Sequence, residues 1–390
     1  MLKKTVVLLA GLVIGLLITY FGLKYLNKYI PKDSSINKIL SPLGLNRNQV
    51  IGFLPYWLIG SMDKNYNQYL TTLTYYGLTV GADGSILKET NPGESEPGLY
   101  TLKSGKIDDI LASARKENLS LSLLIFSSNE EDIGNLINDP VVHAKTLVAE
   151  VAPFMKQYKF DDLNLDIESV AIASDSARAN FTTFVSEVKR NMDIQNLGTL
   201  TLDASPIVLF KPYLINLKEI GRIVDHVVLM TYDFHYPGSS VTGPVAPVGG
   251  ATIDAEFDSE VSIQEALRNI NSEKIILGLP LYGYSWETLE ATPRSGVIPG
   301  TGIAISNRKV EKLLESCATC SAKIDEHALE SYLIYKDQDT GTYFQIFYPD
   351  EDATKAKIKL SNKYGIGGMA LWALGYDGSK ILEPFKDYKE

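Results

Sequence analysis

The sequence predicts an α/β fold, specifically a TIM (β/α)8 barrel, on three observations. Short apolar, β-branched runs recur eight times from residue 50 onward, and longer segments of helical period alternate with them. At 390 residues and 45% apolar composition, the chain is also long enough to close a barrel of roughly 250 residues around one core.

The runs follow one another in order. VIGFLPYW (50–57), LTTLTYYGLTV (70–80) and LSLLIF (121–126) open the series, with the helical IDDILASARKEN (107–118) before the third. DLNLDIE (162–168) is fourth, and TLTLDASP (199–206) is fifth after the helical ARANFTTFVSEVKRNM (177–192). DHVVLMTYDF (225–234) and KIILGLPLYGY (274–284) flank the helical SIQEALRNI (262–270), and IGGMALWAL (366–374) closes the ring. About 80 residues separate the last two runs, too many for a loop inside a compact domain. They hold NRKVEKLLES, an aromatic alternation SYLIYKDQDTGTYFQIFYPD that reads as a hairpin, and a helical ATKAKIKLSNKYG. The interval is read as a small α+β subdomain, 287–352, inserted between strands 7 and 8 of a barrel that occupies 50–380.

Ahead of the barrel, Lys3 and Lys4 precede TVVLLAGLVIGLLITYFGL (5–23), nineteen uncharged residues. As a helix these would span about 28 Å, the thickness of a bilayer's hydrocarbon core. The expectation is a transmembrane anchor with residues 1–4 in the cytoplasm, a polar linker over 24–49, and the barrel domain outside the cytoplasm. A secreted chain released by signal cleavage is the alternative, but the run ends in YFGLKYLNK without a small-x-small site. The net charge of -10 argues against a nucleic-acid partner, since there is no basic surplus to neutralise phosphates. Cys317 and Cys320 are the only cysteines; with no further CxxC or His pair beside them, a local disulfide is expected and a metal is not. The expected state is a monomer.

In the fourth run, residues two apart share a face. Asp162, Asn164, Asp166 and Glu168 therefore lie on one side, and Leu163, Leu165 and Ile167 on the other. The outer face of a barrel strand packs on helices and takes the aliphatic set, so the polar set points inward, with Glu168 at the end where such barrels carry chemistry. Two neighbouring carboxylates with no Lys or Arg in the segment should hold a proton between them, and a Glu protonated near neutrality can act as a general acid. The competing reading is a set of buried polar residues satisfied by hydrogen bonds.

FDDLNLDIE resembles the DGxDxDxE signature of glycoside hydrolase family 18, the chitinase-like family. LMTYDFH (229–235), GLPLYGYSW (278–286) and GGMALWALGYD (367–377) resemble its motifs on strands six, seven and eight. The resemblance runs from about residue 50 to 378. It implies retaining, substrate-assisted hydrolysis of β-1,4 linkages in an N-acetylglucosamine polysaccharide, peptidoglycan or chitin, without metal or cofactor. Glu168 would be the general acid and base, while Asp166 and Tyr232 would orient the substrate's acetamido group. The signature's glycine is Asp162 here, and its middle aspartate is Asn164, which is expected to support Asp166 by hydrogen bonding. Because pyranose faces stack on aromatic rings, Tyr56, Trp57, Tyr282, Trp286 and Trp372 are candidate sugar contacts, joined by Asp233 next to Tyr232. His235 is a candidate groove residue, whereas His143, His226 and His327 read as structural or surface residues. A lectin-like barrel that binds the same polymer without cutting it is the alternative function.

Overall fold

The computed structural model describes residues 48–389 except Asp254, Ala318 and Thr319. All eight runs form strands: β1 (Gln49–Pro55), β2 (Thr72–Thr79), β3 (Ser120–Ser127), β4 (Asp162–Ile167), β5 (Thr199–Ala204), β6 (His226–Leu229), β7 (Ile275–Pro280) and β13 (Gly368–Trp372). Each pairs in parallel with the next, and β13 pairs with both β7 and β1, so the sheet closes into a barrel. Between them lie α1 (Pro97–Lys103), α2 (Asp108–Lys116), α3 (Glu130–Leu136), α4 (Pro140–Tyr158), α5 (Asp175–Gln195), α6 (Leu217–Ile223) and α7 (Ser259–Leu267). Local chemistry sets the helix ends. Ser174 caps α5 by accepting from the Ala177 amide, and Asn196 closes that helix in the left-handed region that Asn tolerates.

Alternation along the strands makes two cores. Ile51, Phe53, Leu124, Val228, Ile276 and Ala370 fill the barrel interior. Leu163, Leu165 and Ile167 are buried on the opposite face of β4, as the period-two pattern requires.

Three strand ends differ from the sequence expectation. β6 stops at Leu229 because the Thr231 and Tyr232 amides turn back onto the carbonyls of Leu229 and Met230, both at 2.8 Å, and leave the ladder. β1 stops at Pro55, and Tyr56–Ser61 winds into a 3-10 turn. The run 274–284 is two strands. β7 ends at Pro280, the Leu281 amide bonds to the Trp372 carbonyl, and the chain then enters an antiparallel sheet.

That second sheet is formed by β8 (Tyr282–Thr288), β9 (Ile303–Ser306), β10 (Lys323–Asp325), β11 (Glu330–Lys336) and β12 (Tyr343–Tyr348), in the order β9-β8-β12-β11-β10. With α8 (Asn307–Ser316) it makes the expected α+β insertion, which begins at residue 282 rather than 287. β11 and β12 are the expected hairpin, and α9 (Glu351–Tyr364) leads back to the barrel. Gly283 allows β8 to lie against β12, since a Cβ there would meet the Phe347 carbonyl oxygen at 2.1 Å. Cys317 and Cys320 are joined in a disulfide after α8.

The apolar run 5–23 and residues 24–47 lie outside the described residues. Among the described residues no helix is long and apolar enough to cross a membrane. Gln49, read as linker, is the first residue of β1.

Candidate active site

The inward face of β4 carries the site in layers. Asp162 lies lowest and accepts from Ser122 Oγ (2.6 Å), Thr199 Oγ1 (2.7 Å) and Thr201 Oγ1 (3.0 Å), hydroxyls of the two flanking strands. Burial still outweighs these three donors and pushes its carboxyl up to about 7.

One layer higher, Asn164 donates from Nδ2 to Asp203 Oδ1 at 3.0 Å. The expected support of Asp166 by Asn164 is therefore redirected across the sheet to β5. Asp203 was not anticipated from the sequence. Register explains its place: Asn164 pairs with Thr201 and Leu165 with Leu202, so Asp203 follows on the same inward face as Asp166. The signal was present in TLTLDASP as an inward-parity aspartate at the carboxyl end of a strand, but its partner lies on another strand.

Asp166 and Asp203 are both buried, at 5% and 4% exposure. Burial raises both carboxyls well above the usual range. On Asp166 the like charges of Asp203 and then Glu168 add to it; on Asp203 the Asn164 bond opposes, while Glu168 and Asp162 add. Asp166 Oδ1 and Asn164 Oδ1 are buried acceptors without a donor.

Glu168 stands one residue beyond β4, its amide held by the Ser127 carbonyl at 2.8 Å. It is exposed, yet the surrounding walls exclude enough water to raise its carboxyl, with the Asp233 charge adding to the effect. Asp233 adopts φ 60° and accepts from the Tyr282 hydroxyl at 2.5 Å and the Tyr284 hydroxyl at 2.8 Å. Asp is one of the few residues that tolerates this left-handed conformation. Tyr232 beside it is held well above its ordinary pKa by burial and by the charges of Asp203 and Asp166, so its hydroxyl keeps its proton and can donate. Gly278 on β7 makes room for that ring, because a Cβ there would meet Tyr232 Cε1 at 2.9 Å and the Leu229 carbonyl at 2.7 Å. Lys357 of α9 ties the region down from behind, donating to the Thr231 carbonyl at 3.0 Å and to Ser259 Oγ at 2.9 Å.

The aromatic candidates divide. Trp372 is half-buried and packs edge-on to Tyr76 (5.1 Å), Phe53 (5.8 Å) and Trp57 (6.4 Å), while Trp57 is 46% exposed and touches Tyr56 at 4.8 Å. These rings share one wall. Sequence reasoning also misses Tyr76, which packs on Trp372 and Trp57 in this wall and whose hydroxyl is raised by burial and by the charges of Asp166 and Glu168. Tyr282 is buried and serves Asp233 through its hydroxyl. Trp286 is a correction. It is 0% exposed, lies in the core of the inserted sheet with Tyr284 and Phe347, and donates Nε1 to the Tyr236 carbonyl, so it has no face to offer a sugar. The reason is the break at Leu281, which moves residue 286 off the barrel. His235 is likewise buried, its Nδ1 at 2.8 Å from the Pro244 carbonyl. Glu168 also lines a cleft with Val170, Asp203, Ser205, Tyr213 and Met230.

Among the described residues no group of His, Cys, Asp or Glu is arranged to hold a metal ion. The arrangement offers an exposed carboxyl able to give and take a proton, a buried carboxylate with an unused acceptor beside it, and a hydroxyl donor.

The family model described as Glycosyl hydrolases family 18 matches residues 61–377. The Cortical fragment-lytic enzyme of Bacillus subtilis (strain 168) is 24% identical over 355 residues, covering 88% of this chain and 72% of that protein. Among solved structures, the spore cortex-lytic enzyme SleL of Bacillus megaterium QM B1551 superposes with a TM-score of 0.68 at 21% identity, over 88% of this chain and 75% of that one. The Group IV chitinase of Ostrinia furnacalis superposes with a TM-score of 0.75 at 17% identity, over 88% and 99%. At these identities the two structural likenesses speak for the fold.

Proposed function

The chain belongs to glycosyl hydrolases family 18 and is a glycoside hydrolase, and from that premise we propose that it cuts β-1,4 linkages in peptidoglycan by substrate-assisted, retaining catalysis. The observation that carries this reading is the unused, buried Oδ1 of Asp166 two residues below the exposed Glu168. A buried acceptor without a donor is costly unless a ligand supplies one, and the N–H of a 2-acetamido group is such a donor.

In this mechanism Glu168 gives its proton to the glycosidic oxygen as that bond breaks. The substrate's acetamido oxygen attacks the anomeric carbon, Tyr232 donates to that oxygen, and Asp166 holds the N–H and offsets the positive charge of the oxazolinium ion. Glu168 then takes a proton from the incoming water. Trp372, Trp57 and Tyr56 form the stacking wall, and Asp233 keeps Glu168 protonated through its like charge.

Peptidoglycan is preferred over chitin because a relative that matches over 88% of this chain is named a cortical fragment-lytic enzyme and because residues 5–23 would anchor the enzyme at its own envelope, with the catalytic domain outside the cytoplasm. The test is mass spectrometry of products from purified peptidoglycan and from chitin oligosaccharides, with wild type and Glu168→Gln. New reducing ends from peptidoglycan, reduced by about 10²- to 10⁴-fold in the variant, are expected. Products from chitin alone would reverse the substrate, and binding without hydrolysis of either polymer would make the barrel a lectin.

A further inference from the structure

We propose that Asp203 is a positioning residue that shares one proton with Asp166, so that the carboxylate absent at position 164 is supplied from the neighbouring strand. This rests on the reading of Asp166 given under Proposed function.

Three observations carry it. Asp203 occupies the inward face of β5 one residue past the Leu165–Leu202 pair, level with Asp166, and both are almost wholly buried. Asn164 engages Asp203 Oδ1 through its amide N–H, which leaves Oδ2 as the oxygen to carry a proton. Among the described residues the cluster also holds a second buried acceptor without a donor, Asn164 Oδ1, and a proton on the acid pair supplies one there while Asp166 Oδ1 is kept for the substrate.

The groups that face the pair are Asn164 and Glu168 from β4 and its end, Asp162 below, Tyr232 beyond β6, and Tyr76 of β2, with Asp233 acting on Glu168 and Tyr232. All the titratable members are acids or phenols. With no cation among the described residues acting on the pair, two neighbouring negative charges are unfavourable and one proton is retained. When positive charge develops on the substrate, that proton moves onto Asp203 and leaves Asp166 fully anionic. No bond to the substrate is made or broken by Asp203.

The test is the exchange of acid and amide between the strands. Wild type, Asp203→Asn, the double variant Asn164→Asp/Asp203→Asn, and Glu168→Gln are compared in the full chain, with kcat and KM measured across pH for whichever of a soluble peptidoglycan glycan oligosaccharide and a chitin tetrasaccharide wild type hydrolyses, and thermal midpoints recorded. Two coupled carboxylates ionise in two steps, one below and one above that of a lone carboxylate. Asp203→Asn is therefore expected to lower kcat by about 10²-fold with KM little changed, move the acid limb to higher pH and remove the upper step. The double variant restores the carboxylate count and the amide–acid bond with reversed polarity, and is expected to recover both kcat and the wild-type profile.

An Asp203→Asn enzyme with wild-type kcat and profile overturns the inference. So does a double variant that melts like wild type yet recovers neither, which would mark the role as structural. If the double variant does not fold, the Asp203→Asn profile decides, with moved limbs in favour and unmoved limbs against. Wild type that fails to hydrolyse any N-acetylated substrate, or Glu168→Gln at full rate, overturns the underlying mechanism. An inactive Glu168→Gln beside an unaffected Asp203→Asn removes only the Asp203 inference.

Discussion

Replacing Asp162 by Asn tests whether the base of the carboxylate ladder is neutral or charged. Three hydroxyls donate to this buried carboxyl and favour its anion, yet burial dominates and holds it at about 7, against about 4 for the unfolded chain. With the folded value above the unfolded one, the folded state binds the extra proton between roughly pH 4 and 7. Its stabilising contribution is therefore fully present below pH ~4 and is lost as pH rises through ~7. Two pH units within that window, at about 1.4 kcal/mol each, amount to about 3 kcal/mol between pH 5 and 7. Asparagine keeps an oxygen for the hydroxyl donors and has no charge to desolvate. The expected result is that Asp162→Asn gains about 3 kcal/mol relative to wild type between pH 5 and pH 8, whatever its offset at pH 5. Urea unfolding at the two pH values, read as the difference in midpoints with an unchanged slope, measures it. A gap that stays constant within about 0.5 kcal/mol would refute the reasoning, since the carboxyl would then hold one charge state throughout.

Trp372→Ala should raise KM for the oligosaccharide about tenfold, because a half-exposed indole face is lost. Trp286→Ala should instead cost about 3 to 5 kcal/mol of stability with KM retained, and a selective rise in KM there would reverse the division between the two rings. Tyr284→Phe removes one of the two hydroxyls that favour the Asp233 anion, so Asp233 protonates more readily and its push on Glu168 weakens. The Glu168 carboxyl then ionises at lower pH, and the basic limb of the kcat/KM profile is expected to move to lower pH; an unmoved basic limb would exclude this coupling.

Much of the fold was legible because its determinants are local. Alternation in DLNLDIE assigns Asp162, Asn164 and Asp166 to one face whatever the neighbours are, and the gap between strands seven and eight can only be an insertion. Strand ends were harder to read. KIILGLPLYGY has no local signal that the ladder changes partners at Leu281, since both halves are apolar and β-forming, and Trp286 was misplaced for that reason.

The sequence by itself determined the barrel, its insertion, the inward ladder on β4 and the place of Glu168 at its upper end, because side-chain period and chain length need no knowledge of distant partners. Only the tertiary structure decided which groups complete the ladder. Asp203 meets Asn164 across 39 positions of chain, the Tyr282 and Tyr284 hydroxyls reach Asp233 across 49 and 51, and Trp372 meets Tyr76 only where the barrel closes. Such contacts depend on strand register, which is set by packing of the whole sheet, and the charge state of every acid in the cluster follows from them.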